Sequence, residues 1–144
     1  MNTHRIGLRF EMEIKKKLNE WNLVCLNLGY NEIADLVVVN GKTRVIECKT
    51  THRDSFYFSK NPYQRDRLIE LTRHNISVYY AVKFIKKNRS VIRFYYLNDV
   101  LEDDKLVLRA NEINSYSLEE FISHCGGYKE GSINELLKDL REND

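Results

Sequence analysis

Asp35, Glu47 and Lys49 are the residues of this sequence best placed to do chemistry. They fall in the stretch Asp35-Leu36-Val37-Val38-Val39, Asn40-Gly41, Lys42-Thr43-Arg44-Val45-Ile46-Glu47-Cys48-Lys49. Two apolar runs around Asn-Gly predict a β-hairpin. Side chains alternate along a strand, so Glu47 and Lys49 share one face while Cys48 points to the other. Charges in such strands are unfavourable unless they are paired or hold a metal. The carboxylates of Asp35 and Glu47 are hard oxygen ligands suited to Mg2+, with Mn2+ as a substitute, and the backbone carbonyl of Cys48 could complete the set. Lys49 is placed to stabilise a pentacovalent phosphate or to help a water nucleophile lose its proton. The chemistry implied is metal-dependent phosphodiester hydrolysis. An acid two residues before a lysine also occurs at the end of many exposed strands; the hairpin context and a basic charge excess favour the chemical reading.

The elements that must position this trio follow from periodicity. Phe10, Ile14, Leu18 and Trp21 form one apolar stripe and predict a helix over residues 5–21. Glu11 lies about 100° around that helix from Phe10. It is either a surface glutamate paired with Lys15 at i+4 or, if the helix packs across the hairpin, a third carboxylate at the same centre. A short strand is expected at 23–28 and a polar, aromatic loop at 50–61, with an extended piece at Phe56–Phe58. Pro62 opens a helix over 62–74. Strands at 77–84 and 91–97 form a second hairpin around Lys86-Lys87-Asn88-Arg89. Capping boxes at Ser117/Glu120 and Ser132/Glu135 start short helices at about 118–124 and 133–141, the first stopped by Gly126-Gly127. The order is that of a mixed α/β sandwich. No Gly-rich phosphate loop follows any strand, which excludes a dinucleotide-binding fold.

The chain has 144 residues, the size of one domain with a real core. Residues 1–93 carry 18 Lys+Arg against 9 Asp+Glu, whereas residues 94–144 carry 5 against 12. A basic body with an acidic tail suggests a polyanionic partner for the body. No apolar run approaches the roughly 20 residues that span a membrane. Met1 to Arg5 lead into an amphipathic pattern without an apolar signal core, so the expected location is the cytoplasm. Cys25, Cys48 and Cys125 are widely spaced, as suits buried thiols in a reduced compartment, and lack zinc-ligand spacing.

In Asp35 followed by Glu47-Cys48-Lys49, the sequence resembles the PD-(D/E)XK nuclease superfamily. More specifically, it is similar to the archaeal-type Holliday junction resolvases. The resemblance runs from Arg5-Ile6-Gly7 and Glu11 through Asp35-Leu36-Val37, Asn40-Gly41-Lys42 and Ile46-Glu47-Cys48-Lys49. It continues to Arg67-Leu68-Ile69-Glu70-Leu71 and Ala81-Val82-Lys83-Phe84, covering about residues 5–97. It implies a restriction-endonuclease-like core over residues 1–98, with a central mixed β-sheet flanked by helices. Residues 99–144, for which the family offers no counterpart, are expected to form an acidic, mainly helical C-terminal extension packed on the same domain.

The implied activity is that of a homodimeric, Mg2+-dependent endonuclease that cuts four-way DNA junctions. Glu11, Asp35, Glu47 and Lys49 match the catalytic positions; Asp35, Glu47, the Cys48 carbonyl and Glu11 are the metal-ligand candidates. Arg5, Arg9 and Arg53 are candidate DNA contacts, as are Lys60, Gln64, Arg65 and Arg67. Phe56, Tyr57 and Phe58, three aromatics in a polar loop, are the candidate dimer interface. Met12 stands where the resolvases usually have a basic residue, and Ala34 stands where the superfamily's name has proline. The alternatives are a restriction- or homing-type endonuclease of the same superfamily and a catalytically silent DNA-binding module. His52 and His74 read as surface residues, and Tyr79-Tyr80 and Tyr95-Tyr96 as strand packing.

Overall fold

Phe10, Ile14 and Leu18 lie along one side of helix α1 (Thr3–Glu20), and all three are buried. In the computed structural model, which describes residues 3–29, 33–57, 62–102 and 107–129 together with 137, 140 and 141, this stripe packs on a five-stranded sheet. The chain continues through β1 (Cys25–Asn27), β2 (Leu36–Val38), β3 (Arg44–Thr51), β4 (Ser55–Tyr57), α2 (Pro62–Thr72), β5 (Ser77–Phe84) and β6 (Val91–Tyr96). It ends with α3 (Leu97–Glu102), β7 (Val107–Arg109) and α4 (Leu118–His124). The sheet order is β1-β2-β3-β5-β6. Strands β3 and β5 are parallel, and every other neighbouring pair is antiparallel. The central mixed sheet flanked by helices expected from the sequence is the architecture found.

Alternation along the strands divides the interior in two. Leu36, Val38, Ile46, Tyr79, Ala81 and Phe94 face α1 and α4. Val45, Val78, Tyr80, Val82 and Tyr95 face the other way, against Leu68 of α2 and Leu97 and Val100 of α3. The crossover from β3 to its parallel neighbour β5 runs through α2, as parallel pairing requires. Because β5 lies between β3 and β6 and is covered on both faces, seven of its eight residues are buried. This explains its nearly continuous apolar sequence.

Local chemistry sets the ends of the elements. Ser117 accepts from the Glu120 amide and Glu120 returns the bond, so the expected capping box opens α4. Gly126, at φ +79°, ends it. Gly41 takes the left-handed conformation in the β2–β3 hairpin. The connection there spans residues 39–43 rather than the two-residue turn that Asn-Gly suggests. Asn40 is occupied elsewhere: its Oδ1 accepts from the Val24 amide and its Nδ2 donates to the Asn22 carbonyl at 3.3 Å.

The chain after residue 98 adds more than helix. Its strand β7 pairs with β4 in a separate two-stranded sheet, and Leu108 of β7 is fully buried. Phe56 of β4 consequently turns inward, half-buried, with its ring 6.5 Å from that of Tyr80. Of the aromatic residues expected at an interface, Phe56 packs partly against the core and Tyr57 is exposed. Phe58 and Lys60 lie outside the described residues. The helix expected at 133–141 falls mostly outside them too, although Leu137, Leu140 and Arg141 are helical. No helix among the described residues is long and apolar enough to cross a membrane.

Candidate active site

Strand β2 begins only at Leu36, opposite Ile46, while β3 runs on to Thr51, so the amide of Cys48 lies beyond the β2 ladder. The side chain of Asp35 meets it there, its Oδ2 accepting from the Cys48 N–H at 2.8 Å. The main chain of Asp35 is held as well: its N–H donates to the Ile46 carbonyl at 3.1 Å, and its carbonyl accepts from Leu28 at 2.9 Å. A residue's N–H and C=O leave an antiparallel ladder on the same side. The Cys48 carbonyl therefore lies on the Asp35 side of β3, as its proposed role as a ligand requires.

Glu47 is 2% exposed, the one buried carboxylate among the described residues. It lies on the α2 side of the sheet, where Gln64 donates from Nε2 to its Oε2. The same Nε2 is 3.4 Å from the Ile33 carbonyl. From the opposite face, α1 brings Glu11 half-buried to the same corner. The Asp35 carboxyl acts electrostatically on both Glu11 and Glu47, which links the three acids through Asp35. Of the two roles the sequence left open for Glu11, the Asp35 charge acting on its carboxyl favours the one near the hairpin.

The electrostatics follow from this crowding. Burial, then the Asp35 charge and the hydrogen bond with Asp35, push the Glu11 carboxyl up to about 7. Glu47 is pushed up more strongly, chiefly by burial and then by Asp35, while the Lys49 charge pulls it back down. Burial and the same acids push the Cys48 thiol well up, so it is inert at neutral pH. Carboxyls this close cannot all ionise without added positive charge; they share protons or take up a cation. An all-oxygen donor set with uncompensated negative charge fits a hard divalent cation such as Mg2+. No three His, Cys, Asp or Glu side chains among the described residues form a ready-made cage. Mg2+ characteristically takes one or two carboxylates and keeps several waters, so the donor set still fits.

The other candidate residues are dispersed. Gln64 is in the site. Arg5 and Arg9 are exposed on α1, and Arg53 is exposed just after β3. Arg65 is half-buried and ion-paired with Asp66 at 3.4 Å, and its charge acts on Tyr80. Arg67 points outward and bonds the Tyr63 hydroxyl at 3.0 Å. His52 is exposed, and His74 lies beside Glu70 at 3.8 Å, as surface residues do. Tyr80 is the neighbour that sequence reasoning did not connect to the site. It pairs with Glu47 in the β3–β5 register, and burial, followed by the Glu47 charge, pushes its hydroxyl well up. Only knowledge of the parallel pairing could have revealed this, because 32 residues separate the two.

No family model matches the chain, and no curated protein matches its sequence. Among solved structures, the chain is similar to Hjc, a Holliday junction resolvase from the archaeal hyperthermophile Archaeoglobus fulgidus. The TM-score is 0.53 and the identity 23%, over 64% of this chain and 73% of that one. At that identity the likeness is one of fold alone.

Proposed function

We propose that the chain is a metal-dependent DNA endonuclease, and that its substrate is a four-way DNA junction cut by a homodimer. The observation that carries the hydrolytic reading is the convergence of Glu11, Asp35 and Glu47 beside Lys49, with Asp35 fixed by the Cys48 amide. The Hjc likeness and the basic charge of residues 1–93 support DNA as the substrate.

Each residue has a distinct task in this reading. Asp35 and Glu47, with the Cys48 carbonyl and Glu11, would hold Mg2+ or Mn2+, whose contribution when bound is Lewis-acid polarisation of the scissile phosphoryl group. Gln64 orients Glu47 through its Nε2 bond, and Asp35 is oriented from the β3 main chain. Lys49 shares the Glu47 face of β3 and presents an ammonium to the phosphate, where negative charge grows in the transition state. The attacking group is water, so no serine or cysteine nucleophile is needed.

The substrate class is tested by incubating the protein in Mg2+ with labelled four-way junction, duplex and single strand. The expected result is paired cuts in the junction at rates well above those for duplex. Equal or faster cutting of plain duplex would overturn junction selectivity while leaving the nuclease assignment in place.

A further inference from the structure

Between Glu70 and Asp99 the chain has no acidic residue and six lysines and arginines. Three of them, Lys86, Lys87 and Arg89, occupy the turn between β5 and β6. The parallel register carries this turn to the end of the sheet where β3 finishes. Thr51 pairs with Phe84, and the Ile85 amide donates to the Thr51 carbonyl at 2.8 Å. A cavity of about 380 Å3 opens there, lined by His52, Ile85, Lys86 and Lys87. Asp54 neutralises Lys86 through an ion pair that also ties the turn to the loop after β3. Lys87 and Arg89 are exposed and make no ion pair with any described residue.

The spacing relates this turn to the carboxylate corner. Lys49 pairs with Val82 in the register. Phe84, where β5 ends, lies two residues further along, roughly 7 Å at about 3.3 Å per strand residue, and the turn carries Lys87 and Arg89 beyond it. That places them a few nucleotides along a B-form strand, at roughly 3.4 Å each. Exposed cations at such a spacing from a phosphate-cutting centre match the repeating charge of a nucleic-acid backbone, which is read by charge and not by sequence.

We propose that the β5–β6 turn is a second DNA-backbone contact, gripping a duplex arm a few nucleotides from the phosphate presented to Lys49. This rests on the nuclease reading above. The test is fluorescence anisotropy with labelled duplex DNA over a salt series in EDTA. It compares wild type, the double variant Lys87→Ser/Arg89→Ser, and Lys42→Ser, an exposed cation at the opposite end of β3. Each lost phosphate contact should reduce the slope of log affinity against log salt by about 0.9. The double variant should therefore lose a slope of up to about 1.8 and bind roughly tenfold more weakly at physiological salt, whereas Lys42→Ser tracks wild type. A double variant indistinguishable from Lys42→Ser, in a protein that still binds and cuts DNA, overturns this contact alone. Wild type with no salt-sensitive DNA binding overturns both the contact and the nuclease reading.

Discussion

The Asp35 carboxylate accepts a 2.8 Å hydrogen bond from the backbone amide of Cys48. One side chain thus both completes the end of a β-ladder and places the charge that acts on Glu11 and Glu47. The two roles separate by substitution. Asp35→Asn keeps an acceptor for the amide and removes a charge from a crowded corner, so it should be at least as stable as wild type at pH 8. Asp35→Ala leaves the amide unpartnered and should fall about 1–3 kcal/mol below Asp35→Asn in urea unfolding. Both should be inactive. Equal stability of the two variants would show that the bond contributes nothing.

Glu47 links the site to pH. Its folded-state value is raised, so the folded protein binds the proton more tightly than the unfolded chain does. The associated stability is complete below the ordinary carboxylate range near 4.5 and is lost as pH rises toward the folded-state value. In EDTA, wild type should therefore lose Tm relative to Glu47→Gln as the pH goes from 5 to 9. Because Mg2+ competes with those protons, it should raise the wild-type Tm more at pH 8 than at pH 5.5. A Tm difference between wild type and Glu47→Gln that does not change with pH contradicts this electrostatic account.

Gln64 acts through Glu47 and does not touch substrate in this account. Gln64→Ala should reduce turnover by roughly 10–100-fold. Loss of the orienting bond should appear mainly as a higher Mg2+ requirement, and Gln64→Asn, whose amide is one methylene short, should restore little. Wild-type Mg2+ dependence in Gln64→Ala would remove Gln64 from the site.

Much of this was legible in the sequence because it is local. The stripe Phe10, Ile14, Leu18 and the capping box Ser117/Glu120 are short-range patterns, and both appear where expected. The face shared by Glu47 and Lys49 follows from strand alternation alone. The rest depends on distant partners. Helix α3 begins at Leu97, where an apolar residue reads as a continuation of β6. Strand β7 has only three residues and exists because β4 pairs with it across 49 intervening positions. The position of Phe56 follows from that pairing, since an isolated Phe-Tyr pair in a polar loop carries no inward signal. Within the site, the bond from Gln64 to Glu47 required α2 to settle on the β5 side of the sheet, which no local pattern specifies.

The segment after residue 98 is predicted to stabilise the five-stranded sheet directly. Phe121 of α4 stacks on Phe94 at 4.3 Å, with the planes 4° apart, and meets Tyr79 edge-on at 5.0 Å. Phe121→Ala should lower stability by about 3–5 kcal/mol, measured by denaturant unfolding as a single transition. A loss below about 1 kcal/mol, or two separate transitions, would show α4 to be an independent appendage.

The most direct test of the central claim is cleavage of labelled junction DNA by wild type and Lys49→Ala, in Mg2+ and in EDTA, with DNA binding measured in parallel. The account predicts cutting by wild type in Mg2+ only, and a loss of orders of magnitude in Lys49→Ala with DNA binding retained. Undiminished cutting by Lys49→Ala, or no cutting by wild type in either Mg2+ or Mn2+, would contradict it.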